Sequence, residues 1–383
     1  MNPVVGIICE YDPFHRGHAH QFEKIRETLP GASIVCLMSG CFTQRGFPSL
    51  FPPSFRAKQA LLAGADLVLE LPVIHSLREG EHFARAGVDI LSRLGMVTHL
   101  SFGCEGDPAR LQEAAQLLEQ PTEDFTLFLK EQLSTGVSFA AAQGKALEVV
   151  LGSGEDFSRP NNILGICYNR ALLRLKSPLI PLPVHRSGDY HSLEEQVYPS
   201  AGRIRSLFLS GQREEAEREC GYSLQGVPFC PPEGLDLLLL AKLRGMEEKA
   251  LAVLPGCSEG LEKRLAAAAM EAVTGEELRQ RIKTRRYSYA RISRLCAHAL
   301  LGVDEAFLTR EDRPSYVRIL GLRTSSGLTP GLKNSRIPVI ARGTEGDESN
   351  PAFQADRRAY ELWALGAGLP GGYLYRSGVV RVD

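Results

Sequence analysis

Two histidines three residues apart, split by a glycine, stand where the first apolar run of the chain ends: PVVGIIC gives way to EYDPFHRGH, residues 10–18. Placed at a helix start, His15 and His18 face the same side. A helix N-terminus presents unpaired backbone N–H groups and a partial positive charge, and Gly17 removes a side chain where a ligand must come close. The combination is a concave donor site suited to phosphate. A chance tetrapeptide with surface histidines is the plain alternative. Its position directly behind a first strand favours the phosphate site.

A second stretch, YPSAGRIRSLF (198–208), extends the same chemistry. Ser200 can cap a helix, and Arg205, a turn further on, can reach leaving phosphate oxygens. Three more polar stretches close apolar runs: MSGCFTQRG (38–46), LELP (69–72) and SFGCEGD (101–107). Gly103 is placed for a base or ribose to pack against backbone. In RPNNILG (159–165), Asn161 and Asn162 open a helix, either as caps or as ligand contacts. VHRSGDYHS (184–192) leaves a strand with His185 and Arg186, the latter a candidate adenine or phosphate contact.

Residues 279–294, RQRIKTRRYSYARISR, carry seven basic side chains and no acidic one. The net charge of the chain is only −1, so this is a local excess. Arg281, Lys283, Arg285, Arg286, Arg291 and Arg294, with Arg279, can neutralise phosphates. Tyr287 and Tyr289 are interleaved, and tyrosine rings stack on unpaired bases. The competing reading is an amphipathic helix whose core face is Ile282, Ile292 and Leu295.

These residues need a frame. Short, continuous apolar runs at Val4–Cys9, Ser33–Met38, Asp66–Leu71 and Thr98–Phe102 alternate with helical patterns near 17–29, 54–64 and 80–94; helical patterns then dominate from about 108 to 175, and a further strand, Leu179–Val184, follows. Continuous rather than alternating apolarity marks strands buried on both faces of a parallel sheet. The expected fold is a doubly wound α/β, Rossmann-like domain, whose ligands lie at the carboxyl ends of the strands. The Pro- and Gly-rich stretch 221–234 marks a boundary, which predicts residues 1–222 as the α/β domain and 223–383 as a mainly α-helical C-terminal domain.

At 383 residues the length fits two domains, and 44% apolar with 23% charged residues is ordinary for a globular chain. The nine cysteines include no CxxC pair, so neither a zinc site nor a disulfide framework is expected, and no protein-held metal is assigned. No apolar run reaches the ~18 residues of a membrane span. A reducing cytoplasm is the expected location, with neither membrane nor DNA as partner.

The strand–HRGH–helix arrangement resembles the HxGH signature of the nucleotidyltransferase superfamily, and SAGRIR is similar to its second signature, ISSTxIR. Taken together, EYDPFHRGH, MSGCFTQRG, ADLVLELP, LSFGCEGD, RPNNILG, SAGRIR and KTRRYSYARISRL resemble the tRNA(Met) cytidine acetate ligase family, from Val5 to beyond Leu322. The resemblance implies an enzyme that joins acetate to AMP from ATP, releases pyrophosphate, and passes acetyl to N4 of the wobble cytidine of elongator tRNA(Met). It implies that ATP is held by Ile7, Ile8, Cys9, Glu10, Tyr11, Asp12, Pro13, Phe14, His15, Arg16, Gly17, His18, Ala19 and His20, by Gly103, by Asn161 or Asn162, and by His185 and Arg186. His15 and His18 would stabilise charge on the reacting phosphate, with Arg205 and Mg²⁺ at the pyrophosphate. The family pattern YNPFHNGH has asparagine where this chain has Asp12 and Arg16; Asp12 adds a charge that would either help hold Mg²⁺ or weaken ATP binding. No residue stands out as the base for acetyl transfer. A small-molecule adenylyltransferase of the pantetheine-phosphate or nicotinamide-mononucleotide type, and a non-catalytic RNA-binding protein on the same fold, are the alternatives.

Overall fold

The computed structural model describes residues 2–137, 139–152, 157–185, 199–258, 260–284 and 287–383. One sheet holds eight strands: β1 (Val4–Cys9), β2 (Ser33–Ser39), β3 (Leu67–Leu71), β4 (His99–Cys104), β5 (Ile180–His185), β6 (Val317–Arg323), β7 (Val339–Ile340) and β8 (Val380–Val382). Their order is β5-β4-β1-β2-β3-β6-β7, with β8 also pairing β6. The first five run parallel.

Continuous apolarity did mark β1 to β4 as strands covered on both sides, whereas β5, at the sheet edge, is only partly buried. Val35, Cys36, Leu37 and Met38 of β2 are all fully buried. The connecting helices are Arg16–Thr28, Pro53–Leu62 and Gly80–Arg93, within two residues of the periodic patterns. One face of the sheet is covered by a layer containing Phe83, Leu91, Leu100 and Tyr168, and a second layer contains Phe22, Ile25, Ile34 and Leu61. Six of the nine cysteines are buried, and all nine are free thiols. No helix among the described residues is long and apolar enough to cross a membrane.

The sheet does not stop at residue 222. The helices Asp236–Arg244, Leu261–Glu271, Gly275–Ile282 and Tyr289–Leu301 build a separate core around Leu239, Leu243, Leu265, Leu278 and Leu295. After Arg310 the chain returns, and β6 pairs antiparallel with β3, Glu70 opposite Arg318. The run YVRILGL is therefore a sheet strand inside the segment expected to be mainly helical. A local pattern shows that a run is apolar but not which sheet edge it covers, and the outer edge of β3 needed a partner.

Buried charges lock this return. Arg318 and Glu70, 3% and 2% exposed, form an ion pair at 2.5 Å. The Tyr360 hydroxyl donates to Glu70 Oε1 at 2.8 Å, and the Tyr316 hydroxyl donates to Asp356. Burial, with the charge of Glu70, raises the Asp356 carboxyl to about 7. Asp356 also accepts the Val73 N–H at 2.6 Å, so the helix Pro351–Gly366 is tied to the end of β3.

Candidate nucleotide site

The strand order reverses at β1: β2 and β3 lie to one side, β4 and β5 to the other. Such a switch point opens a crevice beyond the carboxyl ends of the two central strands. The crevice here lies between the residues that follow β1 and those that follow β4.

On the β1 side the side chains of Ile7 and Ile8 are buried in the core. Tyr11 turns the chain at φ +48° in the left-handed region, a conformation costing about 1–2 kcal/mol for a residue with a Cβ. Its ring offsets that cost by packing edge-on against Phe14 at 5.0 Å and lying 4.7 Å from the His18 ring. The Tyr222 hydroxyl donates to the Phe14 carbonyl at 2.6 Å.

The two histidines cap the Arg16–Thr28 helix reciprocally. His15 Nδ1 accepts the Gly17 N–H at 3.1 Å, and His18 Nδ1 accepts the His15 N–H at 3.2 Å. Their rings lie 3.7 Å apart, tilted by 30°. Because both Nδ1 atoms accept, each neutral ring carries its proton on Nε2 and presents an N–H donor there. Paired donors at a helix N-terminus suit an anion. His20, one turn on, is 3.5 Å from Glu23. Arg16 lines an open cleft of about 820 Å³ with Glu214, Glu217, Arg218, Gly221 and Tyr222; this cleft flanks the turn, and neither His15 nor His18 lines it.

The second signature meets the first. Ser200 Oγ accepts the Arg203 N–H at 3.2 Å and caps the helix Ala201–Leu209. Arg205, on that helix, donates to the Asp12 carbonyl and lies 3.7 Å from Asp12 Oδ2. Asp12 Oδ1 accepts the Leu50 N–H at 2.8 Å, and the residue is 5% exposed. Asp12 thus holds the turn together and does not fit a metal-ligand role. Among the described residues no group of three or more His, Cys, Asp or Glu is placed to hold a metal.

Arg56 is the residue that sequence reasoning missed. It is fully buried, and its guanidinium donates to the Phe51 carbonyl at 3.1 Å, the Glu10 carbonyl at 2.5 Å, the Gly40 carbonyl, and Ser49 Oγ at 3.3 Å. It ties the ends of β1 and β2 to one loop. A signal existed: Arg56 shares the buried face of its helix with Ala57, Ala60 and Leu61.

Across the crevice, Ser101 of β4 accepts from Gln21 Nε2 at 3.1 Å. Gly103 lies in the same strand, opposite Val184 of β5, and His185 ends β5 opposite Cys104. Asn161 and Asn162 do not cap their helix; Arg159 occupies the cap position of Pro160–Arg174. Asn162 Oδ1 instead accepts the Glu105 N–H at 3.0 Å, and Asn161 Nδ2 donates to Glu105 Oε1 at 2.5 Å. Both asparagines therefore reach the loop behind β4. Arg186 lies outside the described residues.

The basic stretch is less free than it read. Arg281 is paired with Glu271 at 2.5 Å and Glu277 at 2.7 Å, carboxylates outside or just before the basic window. Tyr287 is 7% exposed, with its hydroxyl on the Ser258 carbonyl at 3.2 Å and the Arg291 guanidinium 5.0 Å over its ring, so it offers no open face to a base. Arg291 also donates to the Gly256 carbonyl at 2.9 Å and Ser258 Oγ at 2.8 Å. The apolar face read as the alternative is real: Ile282, Ile292 and Leu295 are buried. Lys283 is exposed. Arg285 and Arg286 lie outside the described residues.

This stretch nevertheless adjoins the crevice. The Phe47 ring has the Arg279 guanidinium 4.7 Å from its centroid and the Tyr289 ring stacked at 5.9 Å. Gly46, at φ +89°, runs so close to the Tyr289–Leu301 helix that a Cβ would fall 2.3 Å from Arg294 N. Arg294 donates to the Gln44 carbonyl at 3.3 Å, and Gln44 donates its N–H to Glu10 Oε1 at 2.5 Å.

Comparison with known proteins agrees with this fold. A family model described as HIGH Nucleotidyl Transferase matches residues 1–368. The chain is 35% identical over 370 residues to a tRNA(Met) cytidine acetate ligase of Acetivibrio thermocellus, covering 88% of each chain. It is 35% identical over 363 residues to the one of Syntrophomonas wolfei, covering 89% of this chain and 87% of that one. Among solved structures, Thermotoga maritima TmcAL bound with alpha-thio ATP superposes with a TM-score of 0.84 at 26% identity, covering 99% of this chain and 100% of that one.

Proposed function

The chain belongs to the HIGH nucleotidyl transferase family and, within it, to the tRNA(Met) cytidine acetate ligases; from that premise we propose that it activates acetate with ATP and acetylates N4 of the wobble cytidine of elongator tRNA(Met). The observation that carries this reading is the reciprocal capping pair of His15 and His18 at the crevice between β1 and β4. It puts two N–H donors at a helix N-terminus, where a triphosphate binds most readily.

Acetate itself is a poor acyl donor, because oxide would have to leave. Attack of its carboxylate oxygen on the α-phosphate of ATP gives acetyl-adenylate, from which AMP leaves readily. In-line transfer at phosphorus asks the protein for alignment and for donors to the charged oxygens. His15 and His18 supply those donors through Nε2–H, and Arg205 supplies charge toward the pyrophosphate. Mg²⁺ would arrive with the nucleotide, held mainly by phosphate oxygens and water. Gly103, Asn161, Asn162 and His185 border the same crevice and would contact the nucleoside. The exocyclic amine of cytosine is weakly nucleophilic, which is why so activated an acyl group is needed. The base must be splayed from the anticodon to reach it.

The test is mass analysis of the wobble cytidine in tRNA incubated with the protein, ATP and acetate. N4-acetylcytidine that requires all three is the expected result. ATP–pyrophosphate exchange driven by another acceptor would point to a small-molecule adenylyltransferase, and no exchange to an RNA-binding protein.

A further inference from the structure

Attack of an amine on an acyl-adenylate releases a proton, and the crevice must hold a group to take it. His15 and His18 are unsuited, since their Nδ1 atoms already accept backbone N–H groups and their Nε2 atoms carry protons. Asp12 is engaged at both oxygens by Leu50 and Arg205. Glu105, across the crevice, is held by Asn161 at Oε1, and its Oε2 is shut off from solvent.

Glu10 differs. It follows the last residue of β1 and is only partly buried. Its Oε1 accepts the Gln44 N–H at 2.5 Å, and no donor among the described residues engages Oε2. Gln44 also accepts from Arg294 through its carbonyl and donates to the Arg78 carbonyl at 2.8 Å. Glu10 is therefore one residue away from the basic helix by which RNA would approach, and on the same turn as the phosphate site.

We propose that Glu10 is the general base of acetyl transfer, its Oε2 taking the proton from the N4 amine of cytidine; this rests on the function proposed above. The amine nitrogen forms a bond to the acetyl carbon. The bond from that carbon to the phosphate oxygen breaks, and its electron pair stays with AMP. The nitrogen's proton passes to Glu10 and from there to water. Burial raises the Glu10 carboxyl above its usual range, the charge of Asp12 adds to this, and the Gln44 N–H, Arg205 and Arg56 oppose it. A carboxylate whose proton affinity is raised is a better base than an ordinary one.

The test uses the full chain with Glu10→Gln and Glu10→Asp, and reads two half-reactions. One is acetate-dependent ATP–pyrophosphate exchange; the other is single-turnover transfer from enzyme-bound acetyl-adenylate to an elongator tRNA(Met) transcript between pH 5.5 and 8.5. The expected result is a fall in transfer of about 100-fold or more for Glu10→Gln, larger than whatever fall in exchange follows from Glu10's place on the nucleotide turn. The acid limb of the transfer profile should vanish in Glu10→Gln and persist in Glu10→Asp. Equal falls in both half-reactions, or a retained acid limb in Glu10→Gln, overturn the assignment alone. Absence of acetate-dependent exchange in the unaltered protein overturns the proposed function and this assignment with it.

Discussion

Arg205 reaches back 193 residues to Asp12, donating to its carbonyl and lying 3.7 Å from its carboxylate. The pair closes the turn that carries His15 and His18, and it brings the two signatures of the chain into one site. A buried carboxylate beside a half-exposed guanidinium leaves the arginine partly available to a ligand. Arg205→Ala should weaken pyrophosphate-side stabilisation and loosen the turn together. Arg205→Lys should restore charge but not the donation to both Asp12 atoms. Steady-state exchange kinetics should show a lower kcat for both variants, with Arg205→Lys intermediate.

His15→Ala and His18→Ala should each lower acetate-dependent exchange by about 100-fold or more, the cost of removing one donor from a charge-stabilising site. Each also breaks half of the reciprocal cap, at about 1 kcal/mol of stability. Circular dichroism should show a folded protein with a slightly lower Tm. Full exchange activity in either variant would remove the phosphate-site assignment.

Arg56→Met should destabilise the protein by roughly 3 kcal/mol, because it strips buried carbonyls of Glu10, Gly40 and Phe51 of their donor. Arg56→Lys should recover only part of this, since an ammonium cannot span three divergent carbonyls. Urea unfolding of the two variants measures the difference. Equal stability of Arg56→Met and the parent would show that these contacts are dispensable.

Acid should unfold the protein early. His75 and His298 are buried, and burial lowers both from 6.5 to about 3. The unfolded chain binds a proton at each below pH 6.5, whereas the folded chain does not until about pH 3. Stability therefore rises with pH across this window and falls as the pH drops through it. At pH 5 the loss is on the order of 2 kcal/mol per histidine. Urea midpoints at pH 7.5 and 5 should differ less in His298→Gln than in the parent.

Of the basic stretch, Lys283→Glu should weaken tRNA binding and reduce its salt dependence by about one counterion. Arg281→Ala should have little effect on affinity, its guanidinium being occupied by Glu271 and Glu277. Filter binding over a salt series distinguishes the two. An equal loss from both would mean that the ion pairs open on contact with RNA.

Much of this was legible before any coordinates. The first four parallel strands showed in continuous apolar runs, because burial on both faces leaves no alternation to read; β5, at the sheet edge and partly exposed, showed only as a short apolar run. The turn at His15 and His18 showed because its residue types fall at a strand end. What a local window could not carry was partnership at a distance. Seven basic residues looked like an open patch, yet Glu271 and Glu277, both before the stretch, neutralise Arg281. Tyr287 looked like a stacking platform, yet helical packing turns it inward. Arg56 drew no attention, because charge in a sequence does not announce a ring of waiting carbonyls.

The return of β6 and β8 to the sheet has a mechanical consequence. The helices from Asp236 to Arg310 leave the sheet and come back to it, so the segment is clamped at both ends, like a bridge rather than a pendulum. A bridge cannot swing freely to search for its cargo. It holds Arg294 against the Gln44 carbonyl, and so beside Glu10, from one fixed direction. Shortening the chain before Val317 would free one abutment.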